Sequence, residues 1–221
     1  ALITENDMKI LDEVSKIIKI KREKILQETG IDPIPQEPFP KDVKMVSTML
    51  GSAQNYNFFK WSDLFNQRQL LTVLTFAEEI KKTIHEIKKK EDIEYVKAIA
   101  VYLTINFDNL LRTLTVNSRY RSDTGSTEKI FQNPAIKMVW DYAEINPLNS
   151  NSVWITQIKT ICQIINDCSK IENSANIEKG NAKKLQFDND FFDAIITDPP
   201  YYDVISYSHF SDFFYVWMKK I

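Results

Sequence analysis

The chain has 221 residues, of which 43% are hydrophobic and 26% charged, which is the composition of an ordinary globular protein with one good core, or a core and an appendage. Its net charge of −2 excludes a global field that attracts nucleic acid, so any nucleic-acid contact has to be a local patch. Two cysteines are too few for a disulfide framework or a zinc ribbon, and no signal peptide or membrane-length apolar run is visible, so we expect a cytoplasmic protein without a metal site or a membrane partner.

Residues 1–40 predict an N-terminal helix and a connector. Thr4 is followed three residues later by Asp7, which is the spacing of a capping box, and Gly30 stands where a helix ends, so we expect a helix from 4 to 30. Four prolines between positions 31 and 40 then predict an extended, semi-rigid connector.

Residues 41–170 predict a mainly helical region that serves as an insertion or a recognition module. A short helical turn is expected at 61–65, and Asn66 with Gln69 in the capping-box position predicts a helix from about 68 to 89. Apolar residues at three- and four-residue steps predict a further helix over 94–115, and a third over 151–168. The short charged link between the first two predicts a helical hairpin.

A polar stretch at 117–127 carries two arginines around an aromatic residue: Arg119, Tyr120 and Arg121. Guanidinium groups suit phosphate contacts and the tyrosine ring suits base stacking, so we select these three residues as candidates for substrate binding. The same composition is typical of an ordinary solvent loop, which is the commoner case.

Residues 171–221 predict part of a parallel sheet. A strand is expected at 175–178, followed by a turn that contains Gly180 and Asn181. The β-branched run at 194–196 predicts a buried strand, which ends at two prolines that cannot continue a sheet ladder. A helix from about 208 to 219 follows, and we expect its aromatic side chains to cover one face of the sheet: Phe210, Phe213, Phe214 and Trp217.

The stretch after the second strand has a chemical use. Open α/β sheets bind ligands at the carboxyl ends of their strands, where the Asp-Pro-Pro-Tyr sequence at 198–201 is expected. Because prolines restrict the backbone, the Asp198 carboxylate and the Pro199 carbonyl can present two fixed acceptors to the two N–H donors of an exocyclic amino group. Tyr201 offers a flat face on which a planar base can stack.

Four blocks carry a resemblance. Asp-Pro-Pro-Tyr at 198–201 resembles the catalytic motif of amino-directed, S-adenosylmethionine-dependent DNA methyltransferases. The longer segment 196–203, followed by 206–207 and the aromatic block 211–217, and the blocks at 61–70 and 138–147 together resemble a family of large adenine-specific DNA methylases, some of which are found with phage-defence genes.

The resemblance implies a methyltransferase that transfers the methyl group of S-adenosylmethionine to a flipped base, with adenine N6 favoured over cytosine N4. It implies that the catalytic residues are Asp198, Pro199, Pro200 and Tyr201. Tyr202 would close the substrate pocket, and Asn181 together with Asp198 would face the cofactor. The implied partners are DNA and other subunits of a defence or modification system.

Glycine content qualifies this expectation. A Rossmann-like methyltransferase binds its cofactor at a glycine-rich turn, whereas this chain has four glycines, no two of which are close together. We therefore expect an internal fragment of a larger enzyme, α/β overall, in which a helical insertion precedes part of a Rossmann-like sheet and which has little or no activity alone. The alternative is a non-catalytic helical module that recognises DNA or binds a partner.

Overall fold

Five α-helices and one two-stranded sheet form the regular structure of the described residues. The computed structural model describes residues 4–39, 57–123, 125–131, 136, 139–149, 153–201 and 207–221. In chain order the elements are α1 (Glu5–Thr29), a 3₁₀ turn (Trp61–Leu64), α2 (Gln67–Lys88), α3 (Ile93–Leu111), β1 (Arg119–Arg121), β2 (Ser126–Glu128), α4 (Val153–Cys168) and α5 (Tyr207–Met218). The chain is thus predominantly helical with a small antiparallel sheet.

The capping signals at the start and end of α1 are confirmed. The Asp7 N–H donates to the Thr4 hydroxyl over 3.2 Å, and the Thr4 N–H donates to the Asp7 carboxylate over 2.8 Å. Gly30 adopts a left-handed φ of 70°, which glycine accepts without strain, and its N–H closes on the Leu26 carbonyl. No residue of α1 is buried, so this helix lies on the surface, where it packs against α2.

The predicted hairpin of α2 and α3 is present. The Asn66 side chain caps α2 by accepting from the Gln69 N–H at 2.9 Å, and the Gln69 side-chain oxygen accepts from the Asn66 N–H at 3.0 Å. Residues 89–92 connect the two helices, which pack against each other. The α3 helix ends at Leu111, four residues earlier than predicted, and the chain continues inside the core to the buried Leu114.

The polar stretch after α3 forms a β-hairpin where the sequence predicted a loop. β1 and β2 pair antiparallel, with Arg119 opposite Glu128 and Tyr120 opposite Thr127. The side chains of Arg119 and Glu128, on facing positions, form a cross-strand ion pair.

One hydrophobic cluster draws on all three sequence regions. Its buried members extend from Ile34 and Phe39 near the N-terminus, through α2 and α3, to Phe213, Val216 and Trp217 of α5. The prediction that α5 covers a sheet is wrong for the described structure. Its aromatic side chains pack on Phe65, Trp61 and Phe131 instead, in the hydrophobic cluster formed by the helices.

The two predicted strands at 175–178 and 194–196 are not strands in the structure. All residues from 162 to 201 are exposed, and no backbone hydrogen bond joins residues 185–201 to another part of the chain that the structure describes. Ile195 is 68% exposed and Ile196 is 96% exposed. A strand needs a neighbour to accept its ladder bonds, and no neighbour for these runs is present among the described residues. A Rossmann-like sheet is therefore not shown.

No helix in the described part of the chain has the length and apolar character that crossing a bilayer requires.

Candidate functional site

The Asp-Pro-Pro-Tyr corner, residues 198–201, lies on the surface. All four residues are exposed, and the Tyr201 ring is 66% exposed. The peptide bonds before Pro199 and Pro200 are trans, and the backbone has no regular structure, as two consecutive prolines dictate. The carboxylate of Asp198 and the ring of Tyr201 are both accessible to a ligand. Tyr202 lies outside the described residues.

Asn181 is placed in a tight turn that the sequence predicted. Its carbonyl accepts from the Lys184 N–H at 2.9 Å, and its side-chain Oδ1 accepts from the Lys183 N–H at 3.0 Å. The turn borders an open depression of about 460 Å³ that is lined only by residues of the same loop, from Lys179 to Gln186. Asp198 is not among its lining residues, so the structure does not bring the two predicted cofactor contacts together there.

The β-hairpin separates the three residues that were selected for substrate binding. Side chains alternate across a strand, so Arg119 and Arg121 share one face while Tyr120, 60% exposed, points to the other. Both guanidinium groups are paired: Arg119 with Glu128 at 2.6 Å and Arg121 with Asp123 at 2.7 Å. Exposed ion pairs of this kind contribute little to stability, so a phosphate can replace the carboxylate partner at low cost.

A polar network links two of the blocks that carried the resemblance. The Glu144 carboxylate accepts two hydrogen bonds from the Arg68 guanidinium, at 2.6 and 2.9 Å, and a third from the Asn66 amide at 2.6 Å. The same amide donates to the Tyr142 hydroxyl at 3.0 Å. The hydrogen bonds from Arg68 are the main reason that the pKa of Glu144 lies below its ordinary value, although partial burial opposes this shift. The segment 139–146 is thereby fixed to the start of α2.

An aromatic cluster links the block at 211–217 to the block at 61–70. Phe65 stacks on Phe213 with 6.1 Å between ring centroids and meets the edge of Trp217 at 5.2 Å. Trp61 contacts Phe213 at 6.0 Å. We refer to the two clusters together as the block junction, which comprises Trp61, Phe65, Asn66, Arg68, Tyr142, Glu144, Phe213 and Trp217.

The block junction anchors the helix that follows the Asp-Pro-Pro-Tyr corner. Helix α5 begins at Tyr207, six residues after Tyr201, so the chain can separate these two residues by at most about 20 Å. No hydrogen bond, ion pair or ring contact joins residues 198–201 to the block junction or to the β-hairpin within the ranges that the structure describes. The corner is therefore tethered to the junction without being part of it.

Sequence reasoning missed the polar network of the block junction. Arg68 and Glu144 lie 76 positions apart, and nothing in either local sequence identifies the partner. The capping pattern of Asn66 was visible, but its second role as a donor to Glu144 was not. The usable signal was the resemblance itself, because both residues belong to blocks that were singled out on that ground.

Comparison with known proteins adds no relative: no family model matches the chain, and neither a curated protein nor a solved structure matches it.

Proposed function

We propose that the chain carries the base-holding corner of an S-adenosylmethionine-dependent DNA amino-methyltransferase, with adenine N6 as the favoured target. The observation that carries the proposal is the exposed Asp-Pro-Pro-Tyr corner at 198–201, which directly follows a β-branched run whose backbone has no hydrogen-bond partner among the described residues. Such an activity belongs in the cytoplasm, where DNA and the methyl donor meet.

The chemistry proposed for the corner uses only its own groups. The Asp198 carboxylate and the Pro199 carbonyl accept hydrogen bonds from the two N–H groups of the target amino group. These two hydrogen bonds move the nitrogen from planar toward tetrahedral geometry and localise its lone pair, while Tyr201 stacks on the flipped base. Positioning and electrostatics then supply most of the rate enhancement, and the localised lone pair makes a strong general base unnecessary.

The described residues do not by themselves form a complete cofactor site. When bound, S-adenosylmethionine supplies an electrophilic methyl group. The turn at Asn181 provides few groups to bind the cofactor, since the Asn181 Oδ1 already accepts from the Lys183 N–H and no glycine-rich turn is present in the sequence. We propose no reaction step through the cofactor on these residues, and we propose that the chain alone does not bind it tightly.

The proposed α/β character depends on pairing of the run at 194–196. Both Ile195 and Ile196 are exposed, yet a β-branched run is suited to burial on both faces of a parallel sheet. Pairing with neighbouring strands would satisfy the backbone and leave residues 198–201 at the carboxyl end of a strand, where sheets of this class bind their ligands.

The β-hairpin is the proposed second contact with DNA, apart from the corner at 198–201. Arg119 and Arg121 lie on one face, so they can contact the phosphate backbone in exchange for Glu128 and Asp123. Tyr120 on the other face would reach a base only where the strand of DNA wraps around the hairpin edge. Contacts to phosphate position the DNA without reading its sequence.

The decisive test compares Asp198→Ala with Asp193→Ala in cells that express the whole gene. We expect Asp198→Ala to reduce N6-methyladenine by about a hundredfold or more, because it removes an acceptor that acts at the reacting nitrogen. Asp193 is an exposed carboxylate in the same segment and serves as the matched control, which should retain methylation. Sequencing of methylated bases provides the measurement, and full methylation by Asp198→Ala would exclude the proposed role.

A second candidate function is a helical module that binds DNA or a partner without catalysis. It is favoured by the fact that residues 162–201 are all exposed, so the helical core forms without contribution from the corner. DNA binding measured at two salt concentrations distinguishes this module from the proposed methyltransferase. A module loses affinity on Arg119→Ala together with Arg121→Ala and is indifferent to Asp198→Ala, and cells that express it contain no methylated adenine.

A further inference from the structure

A cavity of about 250 Å³ lies between the C-terminal half of α1, the middle of α2 and Lys220, which follows α5. Its floor is apolar and includes Ile25, Pro33, Leu74 and Ala77. Leu74 and Pro33 are buried, and Ala77 is 9% exposed, so these side chains are fixed by the core beneath them. The floor is therefore a preformed apolar surface in the folded chain.

The rim of this cavity carries an excess of positive charge. Six charged residues line it, four lysines and two glutamates: Lys24, Glu28, Glu78, Lys81, Lys82 and Lys220. Lys24 pairs with Glu28 at 3.9 Å and Lys82 pairs with Glu78 at 3.0 Å. The Glu78 carboxylate also accepts from Lys21 of α1. Two ammonium groups remain, those of Lys81 and Lys220.

Neither of these two ammonium groups has a partner in the part of the chain that the structure describes, because neither makes an ion pair within 4 Å or a side-chain hydrogen bond there. The carboxylates whose charge interacts with Lys220 are Asp32 and Glu37, and they are paired with Arg22 and Lys219. Nearby backbone acceptors are also partly satisfied, since the Ile25 carbonyl accepts from Thr29. The two charges are available to a ligand.

We propose that this cavity binds a small anion with an apolar body, such as a carboxylate on a short hydrocarbon chain, with Lys81 and Lys220 holding the charge. The volume lies just below the usual range for small-molecule sites, which excludes a large ligand and suits one short chain. An apolar floor with a few convergent charged groups is the common design of such sites. The site does not rest on the methyltransferase proposal, since none of its residues belongs to the corner or to the block junction.

The test is an NMR titration of the isotope-labelled chain with octanoate, and with octanol as a matched uncharged probe. We expect octanoate to shift the amide signals of Leu74, Ala77 and Ile31, and octanol to bind much more weakly. The double variant Lys81→Gln with Lys220→Gln should weaken octanoate about tenfold, which is what two partly exposed charge contacts provide. Lys159→Gln removes an exposed lysine of α4 that does not line the cavity and should leave the affinity unchanged.

Ala77→Leu provides an independent readout, because it fills the floor and leaves both ammonium groups in place. It should abolish octanoate binding while far-ultraviolet circular dichroism keeps the helical signal. The proposal is overturned if the double variant binds octanoate as tightly as the original chain, if octanol binds equally well, or if octanoate shifts only the exposed segment 185–196.

Discussion

At the scale of single residues, burial changes the pKa of Asp108 more than that of any other carboxylate in the described part of the chain. It lies in the last turn of α3, and its Oδ1 is buried without a hydrogen-bond partner among the described residues. Burial raises its pKa from 3.8 to about 6. The carbonyl end of a helix also disfavours a negative charge. Asp108 therefore opposes folding when it is ionised.

Asp108→Asn is expected to stabilise the chain above pH 6. The folded-state pKa lies above the unfolded value, so the folded state binds more protons between these values and stability falls as the pH rises through that interval. Since the side chain is only partly buried, we expect a gain of about 1 kcal/mol at pH 7 and none below pH 4. Urea unfolding at both pH values measures this, with the exposed Asp141→Asn as control. Equal effects of Asp108→Asn at the two pH values would contradict the assignment.

The Arg68–Glu144 pair provides a second prediction at this scale. Arg68→Ala removes both guanidinium bonds to a partly exposed carboxylate, so we expect a loss of about 1 kcal/mol and a lower Tm by about 2–4 °C. The pKa of Glu144 is lowered in the folded state, so the stabilisation is complete above the ordinary glutamate value and fades as the pH falls through the lower folded value.

Arg68→Lys is the matched variant, since it keeps the charge and loses the two-pronged geometry. Its Tm should fall between those of the original chain and Arg68→Ala. Thermal unfolding at neutral pH and again at pH 3 completes the measurement, and the difference between the variants should shrink at the lower pH. A difference that grows on acidification would show that the pair does not stabilise the fold.

At the scale of elements, the helices followed from local signals and the strands did not. Helix caps depend on residues three positions apart, so Thr4 with Asp7 and Asn66 with Gln69 could be identified without knowing the fold. A β-branched run such as 194–196 indicates suitability for a sheet, but the strand forms only where another strand supplies its hydrogen bonds. That information lies elsewhere in space and not in the run itself.

The candidate site divides in the same way. Because proline fixes φ locally, the Asp-Pro-Pro-Tyr sequence predicts a rigid loop at the carboxyl end of a strand, whereas the structure has an exposed, irregular segment at 198–201 and no strand before it. The β-hairpin was predicted as a loop because its three-residue strands are too short to show alternation. The contact of Arg68 with Glu144 was beyond prediction, since charges of both signs are spread along the whole sequence.

The helix caps at Asn66 and Thr4 differ in the contacts that they make beyond the cap itself, and the difference in their contribution to stability is measurable. Asn66→Ala removes the α2 cap and also the amide donor to Tyr142 and Glu144, so we expect a cost of about 2 kcal/mol. Thr4→Ala removes an equivalent cap from α1, a helix without buried residues, and should cost about 0.5 kcal/mol. Chemical denaturation of both variants gives the comparison. If the two changes cost the same, the network at Glu144 adds nothing to the cap.

At the scale of the whole molecule, the chain combines an ordered helical core with a long exposed segment. Buried apolar side chains of residues 34–136 and of α5 share one hydrophobic cluster, whereas residues 162–201 bury none of their side chains. Phe187, Phe191 and Phe192 contact one another at 4.7 to 5.1 Å, which only partly hides their rings from solvent. The segment therefore has little to protect it from local opening.

Hydrogen exchange is expected to separate these two parts. Amides of residues 185–201 have no backbone acceptor in the described structure, so they should exchange at nearly the intrinsic rate, while the middle of α2 and α3 should exchange only through global unfolding. Mass spectrometry of peptic fragments makes this comparison within one sample. Slow exchange at 194–196 in the isolated chain would show that the run is already paired, for example in a second copy of the chain.

The fixed position of α5 has a consequence for any ligand of the core. Phe213 and Trp217 hold this helix in the core, and chain length limits the distance from Asp198 to Tyr207 to about 30 Å. Confinement by so short a covalent connection corresponds to an effective concentration on the order of millimolar. A base held by the core within that distance would meet the acidic corner as an intramolecular event, at a rate independent of the amount of protein in solution.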